Sequence, residues 1–286
     1  MISASGTPLR RNPIRTAQHE VNPTPPPRLF PSTQDIPMTL ALLLVAPLGF
    51  PPQPITPESQ DAPDKKEVIE ERTEIAFPVL RTIPADKDTK GSKATVVELA
   101  GLGVRDKYFI NAKVYAFGWY VEPKAARKAL TPWIGKTPKE MSRDEKFSKA
   151  ACSDGFAKSL RLVFYRDVDG EDVAEAFDDS LEPRIKTAAK TMKMKDATKE
   201  LATFRAIFDA GEVKDGDEII FDLGSGGRID TYLRGKSAGR IVSPALSWAL
   251  QDVYLGMDPI EDNEEKARMI KRLPETVLKP ETKKGK

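Results

Sequence analysis

Gly101-Leu102-Gly103-Val104-Arg105, followed by Val114-Tyr115-Ala116-Phe117-Gly118-Trp119-Tyr120-Val121, is the stretch on which the fold turns. Residues 106–121 are mostly aromatic, β-branched or small, with a polar break at Asn111, and read as a β-hairpin. Arg105 and Tyr115 have the same parity on its two arms, and a turn centred near Ile110 makes them cross-strand neighbours. Phe117 and Trp119 share the face of Tyr115, because side chains alternate across a strand.

On the N-terminal side, residues 74–79 and 95–99 read as short strands, and the folded part is expected to begin near Thr73. On the C-terminal side, Pro123 opens a short helix over residues 124–130. Residues 159–165 alternate Leu160, Leu162 and Phe164 against Arg161, Val163 and Tyr165, a strand with two unlike faces. Two amphipathic helices follow, one marked by Val173, Phe177 and Leu181, the other by Leu201, Phe204, Ile207 and Phe208. The Lys-rich residues 192–199 connect them.

Residues 217–223 and 228–233 read as strands joined by a turn at Gly224-Ser225-Gly226-Gly227, with a further turn over residues 235–239. No helix follows the glycine run, so it is not a phosphate loop. A last helix has Ser243 as N-cap and Pro244 at its first position, and stops at Gly256. Strands, then helices, then a hairpin and a helix describe an α+β fold and not a doubly wound sheet.

Three regions are expected: a disordered Pro-rich leader over residues 1–70, a domain over 73–258, and a charged, solvated tail over 259–286. Fourteen of the 24 prolines lie before residue 64, and each fixes φ and removes a backbone donor. The leader contains one apolar run, residues 38–50, about 13 residues against the roughly 20 that span a bilayer. Its length suits the core of a secretory signal, which makes the protein exported or periplasmic with no integral membrane span once mature. Arg10, Arg11 and Arg15, with no acidic residue before Glu20, support a second reading, a plastid transit peptide, and an unprocessed tail is the third.

The composition limits the chemistry. With 45 basic and 43 acidic residues interspersed, a nucleic-acid partner is not expected. The single cysteine, Cys152, forms no intramolecular disulfide, and the single histidine, His19, sits in the leader. A histidine-based triad or dyad is therefore excluded from the folded part, and neither a metal nor a cofactor is expected. Cys152 reads as a small buried residue with nothing cationic beside it, and Asp178-Asp179 and Glu264-Glu265 as solvated helix charges.

The Gly-x-Gly-x-Arg strand and the Val-Tyr-Ala-x-Gly-x-Tyr strand together resemble the chalcone isomerase superfamily. Leu162-Val163-Phe164-Tyr165-Arg166-Asp167-Val168 resembles that family's central strand, and the stretch from Gly216-Asp217 to Leu255-Gly256 resembles its closing hairpin and helix. The resemblance covers roughly two thirds of the chain. It implies an open-faced β-sandwich, an antiparallel sheet covered on one face by helices, with a ligand cleft between.

Members of the family that close chalcones into flavanones use an Arg on the first hairpin strand, a Thr on the second, and a Tyr and an Asn on the helix after the central strand. By motif, the Arg position is Arg105, the Thr position falls on Tyr115, and the Tyr and Asn positions fall near Val173 and Ser180. Three of the four depart, and Val173 donates no hydrogen bond. Loss of one well-placed donor costs roughly 10²–10³ in rate, so the chain is expected to be non-catalytic.

Arg105 and Tyr115 together suit one carboxylate, a two-pronged donor beside a phenol. With Phe117 and Trp119 placed to line an acyl channel, the arrangement resembles the fatty-acid-binding branch of the family. The expected partner is a small hydrophobic carboxylate. Plainer readings stand beside it: Arg105 paired with a carboxylate such as Glu98, Tyr115 as a sheet aromatic, Phe117 and Trp119 as core. The alternative function is an intramolecular lyase acting on a chalcone-like enone.

Overall fold

The computed structural model describes residues 66–107, 112–208 and 211–279. The leader's apolar run at 38–50 and the hairpin turn near Ile110 lie outside these residues. Among the described residues, no helix is long and apolar enough to cross a membrane.

Ten- and thirteen-residue strands form the hairpin that carries Arg105 and Tyr115. A small two-stranded sheet pairs β1 (Glu67–Ile69) with β2 (Ala76–Pro78). The main sheet has seven strands in sequence order: β3 (Leu80–Ile83), β4 (Thr95–Lys107), β5 (Ala112–Val121), β6 (Lys158–Phe164), β7 (Glu218–Gly224), β8 (Arg228–Leu233) and β9 (Lys236–Val242). Every neighbouring pair is antiparallel. Helices α1 (Pro123–Ala129), α2 (Pro138–Ser142) and α3 (Glu145–Ala151) fill the β5–β6 connection, and α4 (Gly170–Thr191) and α5 (Thr198–Ala206) the β6–β7 connection. Helices α6 (Pro244–Leu255) and α7 (Asn263–Met269) follow the sheet.

The period-2 pattern sorts the sheet's residues as the strands required. Tyr115, Phe117 and Trp119 of β5, Leu160, Leu162 and Phe164 of β6, and Ile219 and Phe221 of β7 share one buried cluster with Phe177, Phe204 and Leu250 of the helices. A smaller cluster on the other face holds Phe77, Val97, Leu99, Ala116, Tyr120 and Val163. This is the expected α+β architecture, an antiparallel sheet under a helical layer.

One irregularity aims the central strand. In the β4–β5 ladder Leu99 faces Tyr120 but Gly101 faces Trp119, so β4 carries one extra residue at Ala100. A bulge of that kind reverses the parity of the residues beyond it. Val97 and Leu99 therefore lie on the outer face, while Gly101 and Gly103 face the helices.

Three local readings are corrected. The folded part begins before Thr73, because residues 67–69 pair with β2. Residues 235–239 are mostly strand: β9 pairs with β8 across a bulge, although Lys236-Ser237-Ala238-Gly239 lacks any apolar alternation. Cations do lie near the buried Cys152, since Lys158 and Lys266 act electrostatically on its thiol.

The largest correction concerns the C-terminus. The segment after Asp258 is not a solvated tail: Met269, Ile270, Leu273, Val277 and Leu278 are at most 4% exposed and belong to the main core. Gly101 makes the docking possible, since a Cβ there would lie 2.3 Å from the Met269 carbonyl oxygen. Arg272 Nε donates to the Leu99 carbonyl at 3.3 Å. Glu265, read as solvated, is buried against Arg72 and Arg268. Buried Lys266 donates to Ser148 Oγ and to the Gly256 carbonyl, both at 2.7 Å.

This packing has two measurable consequences. Gly101→Ala forces a methyl into the Met269 backbone and is expected to lower unfolding stability by about 1–3 kcal/mol in urea titrations. Burial pushes the ammonium groups of Lys158 and Lys266 down to about 8. The unfolded chain then holds more protons than the folded one between pH 8 and the ordinary lysine value, so stability increases as pH rises through that window. The unfolding free energy from urea titration at pH 9.5 should exceed that at pH 7.5 by on the order of 1 kcal/mol, with a smaller rise in Lys266→Met.

Candidate functional site

Arg105 and Tyr115 are register partners across the β4–β5 ladder, and Gly103 faces Phe117 one pair further in. Gly103 has no side chain to resist the ring: a Cβ there would lie 2.4 Å from Phe117 Cζ. Tyr254, near the end of α6, closes the site from the helical side. Its ring centroid is 4.6 Å from that of Phe117, and its hydroxyl oxygen is 2.9 Å from the Tyr115 hydroxyl. Phe164 of β6 packs on Tyr115 at 5.5 Å between centroids.

The guanidinium of Arg105 finds its partner in the segment after α6. Nη1 donates to Glu261 Oε1 at 2.5 Å, to the Asp106 carbonyl at 3.2 Å and to the Ile260 carbonyl at 3.4 Å. The Asp106 amide also donates to Glu261 Oε1, at 3.3 Å. Glu261, and not Glu98, is therefore the carboxylate on Arg105. Its side chain is 9% exposed, against 29% for Arg105.

Burial dominates the electrostatics of these four side chains. It pushes both phenols up, and most strongly Tyr254, where the neighbouring Tyr115 adds to the effect. For Glu261, desolvation outweighs the bond from Arg105 and holds the carboxyl above its ordinary value. Desolvation works against the charge on Arg105 as well, but the Glu261 bond and the nearby phenols overcome it and its pKa is raised. Arg105, Tyr115, Tyr254 and Glu261 thus form one coupled group at the edge of an aromatic wall.

The other residues picked from sequence supply nothing polar here. Val173 is a buried core residue of α4, and the Ser180 hydroxyl donates to the Ala176 carbonyl at 2.8 Å within its own helix. Trp119 is core, 2% exposed. The Cys152 thiol is buried and pushed up by desolvation, the opposite of an activated nucleophile. Among the described residues, no group of histidine, cysteine or carboxylate side chains is arranged to hold a metal.

Sequence reasoning missed Tyr254 and Glu261 as site residues. Tyr254 had a local signal, as the phenol of the closing Ala249-Leu250-x-x-x-Tyr254-Leu255-Gly256 pattern. Glu261 had none, because its partner is 156 positions away.

The space left between these groups is small. A void of about 10 Å³ lies between Phe117 and Tyr254 on one side and Ile260, Glu261 and Met269 on the other. That is room for about one water. Outside it, a solvent-facing pocket of about 300 Å³ is bordered by Arg72, Asp106, Glu261, Glu265 and Arg268.

A family profile described as chalcone isomerase-like matches residues 84–270, which includes Glu261 and α7. Chalcone isomerase-like protein 2 of Humulus lupulus is 28% identical over 109 residues, 37% of this chain and 51% of that protein. Fatty-acid-binding protein 1 of Arabidopsis thaliana is 24% identical over 171 residues, 58% of this chain and 60% of that protein. The chain thus spans about half to three fifths of the length of these curated relatives. The crystal structure of an Arabidopsis thaliana fatty-acid binding protein superposes with a TM-score of 0.56 at 22% identity, covering 73% of this chain and 99% of that one. That likeness is one of fold.

The paired phenols give a direct test. Tyr115→Phe or Tyr254→Phe leaves one buried hydroxyl without its partner, and each is expected to cost about 1–2 kcal/mol in urea unfolding. The double variant should cost less than the sum of the two, because no orphan remains. Raised phenol pKa values also mean that stability falls as pH climbs above 10, and the fall should be shallower in the double variant.

Proposed function

Because this chain belongs to the chalcone isomerase-like family, we propose that it is a non-catalytic member that binds a fatty acid or similar amphiphilic carboxylate in the cleft between sheet and helices. Arg105 and Tyr115 take the head group and Phe117 lies on the acyl side. The observation that carries this reading is chemical: Arg105 already holds a carboxylate, that of Glu261. A guanidinium at this depth, beside two phenols and an aromatic wall, is a receptor for an anion with an apolar tail. The name of the Arabidopsis relative supports the choice of ligand class.

The isomerase alternative lacks donors. The Tyr115 hydroxyl is engaged by Tyr254, the Ser180 hydroxyl by Ala176, and Val173 has none to offer. Polarising a ketone needs preorganised donors aimed at the developing charge.

A second reading has one observation in its favour. The void of about 10 Å³ does not admit an alkyl chain, so the protein can also be read as a closed member in which Glu261 permanently satisfies Arg105. Oleate titrated calorimetrically into the full chain separates the two. Binding weakened at least about tenfold by Arg105→Ala supports the carboxylate reading, since a charged hydrogen bond contributes about 1.5–3 kcal/mol. No heat with oleate, together with no co-purifying lipid in native mass spectra, favours the closed reading. Turnover of a chalcone in an absorbance assay would restore the enzyme.

A further inference from the structure

Glu261 stands between the two spaces at this site. It borders the void against Phe117 and Tyr254, and it borders the charged pocket that opens to solvent. Its carboxylate lies on the one guanidinium that the carboxylate-binding reading needs. We infer that Glu261 is the cleft's resident carboxylate, a built-in competitor that closes the passage and must leave Arg105 before a ligand carboxylate can bind. The inference rests on the proposed function and adds the device that regulates it.

The geometry of the contact suits exchange. All three hydrogen bonds that Arg105 donates among the described residues run through Nη1, and Glu261 accepts with Oε1 alone. Through one nitrogen and one oxygen, Glu261 meets the guanidinium in the weaker of the two geometries open to a carboxylate. A free carboxylate can take two parallel N–H···O bonds there, which is the stronger arrangement. Turned outward, the Glu261 side chain enters the solvent-facing pocket, whose border carries Arg72 and Arg268, both already paired with Glu265, and where water can solvate the carboxylate.

The segment that carries Glu261 is tied on both sides of that residue. Arg184 Nη2 donates to the Asp258 carbonyl at 2.5 Å, and the Ile260 amide donates to the Val253 carbonyl at 2.7 Å. Asp262 caps α7 through the Glu264 and Glu265 amides at 2.9 and 2.7 Å. Beyond it, α7 is anchored by Lys266 and by Met269 over Gly101. Release of Glu261 can therefore take place in its own side chain and the link between α6 and α7, with the Arg105 bond to the Ile260 carbonyl yielding while α7 stays on the sheet.

A competitor lowers apparent affinity by the fraction of time it holds the site. Glu261→Gln keeps the side chain's shape and its acceptor for the Asp106 amide but removes the charge that holds it on Arg105. The test titrates oleate into the full-length parent, Glu261→Gln, Arg105→Ala and the double variant, and follows hydrogen exchange of the link between α6 and α7. Glu261→Gln is expected to bind oleate at least about tenfold more tightly than the parent, with faster exchange of the link before ligand is added. The gain should vanish in the double variant. Equal oleate affinity in parent and Glu261→Gln, lost in both with Arg105→Ala, overturns the competitor while leaving the carboxylate site standing. No oleate binding by either protein overturns the carboxylate reading and the competitor with it.

Discussion

A guanidinium set against an apolar wall requires a carboxylate, and the organisation of this molecule around Arg105 meets that requirement from within. Removal of an ion from water costs several kcal/mol unless a counter-charge and hydrogen bonds replace the solvent. Glu261 supplies the charge, and the Asp106 and Ile260 carbonyls supply further acceptors. Arg105 reaches this position only because the bulge at Ala100 turns the second half of β4 toward the helices. With uninterrupted alternation, Arg105 would share the outer face with Val97 and Leu99, far from the phenols of β5 and α6.

The same strand explains why the C-terminal segment belongs to the domain. Gly101 and Gly103 leave a strip of β4 without side chains on the helix-facing side. The Met269 backbone lies over the first and the Phe117 ring over the second. Such close approach of backbone to backbone is open only to glycine at the contact. The apolar side chains after Met269 then complete the core at that end of the sheet, while Arg72 pairs with Glu265 and Ser148 and the Gly256 carbonyl satisfy Lys266. The ion pair at Arg105 and the packing of α7 are consequently one arrangement, since the chain that places Glu261 is fixed by α7.

Much of this was legible in the sequence because it is governed by local periodicity. The alternation along β5 and β6, the apolar spacing of α4 and the Ser243-Pro244 cap of α6 each carry their own signal, and the register of Arg105 on Tyr115 came from the length of the hairpin. Other features depend on partners distant in the chain. Residues 236–239 look like a turn because β9 is an edge strand with nothing apolar at its start. The segment after Asp258 looks like a tail because its charges are neutralised only in three dimensions, Glu265 by Arg72 and Glu261 by Arg105. A signal was present there: Met269, Ile270, Leu273, Val277 and Leu278 recur at helical spacing, and the density of charge around them hid the stripe.

The state of the polar groups is what favours the proposed binding over catalysis at this site. A catalytic donor must be free and aimed at charge that develops only in the transition state. Here Arg105 is held by a carboxylate and the Tyr115 and Tyr254 hydroxyls by one another, so a reacting ketone would compete with interactions already made. Binding has no such requirement. In the proposed exchange of Glu261 for a ligand's carboxylate, like would replace like and the polar cost would be largely offset. What remains is the apolar tail, which contributes about 0.8 kcal/mol for each methylene taken out of water. Discrimination would then fall to the hydrocarbon and the space that the α6–α7 link can yield, with the head group acting as a key shared by every acid and by the protein itself.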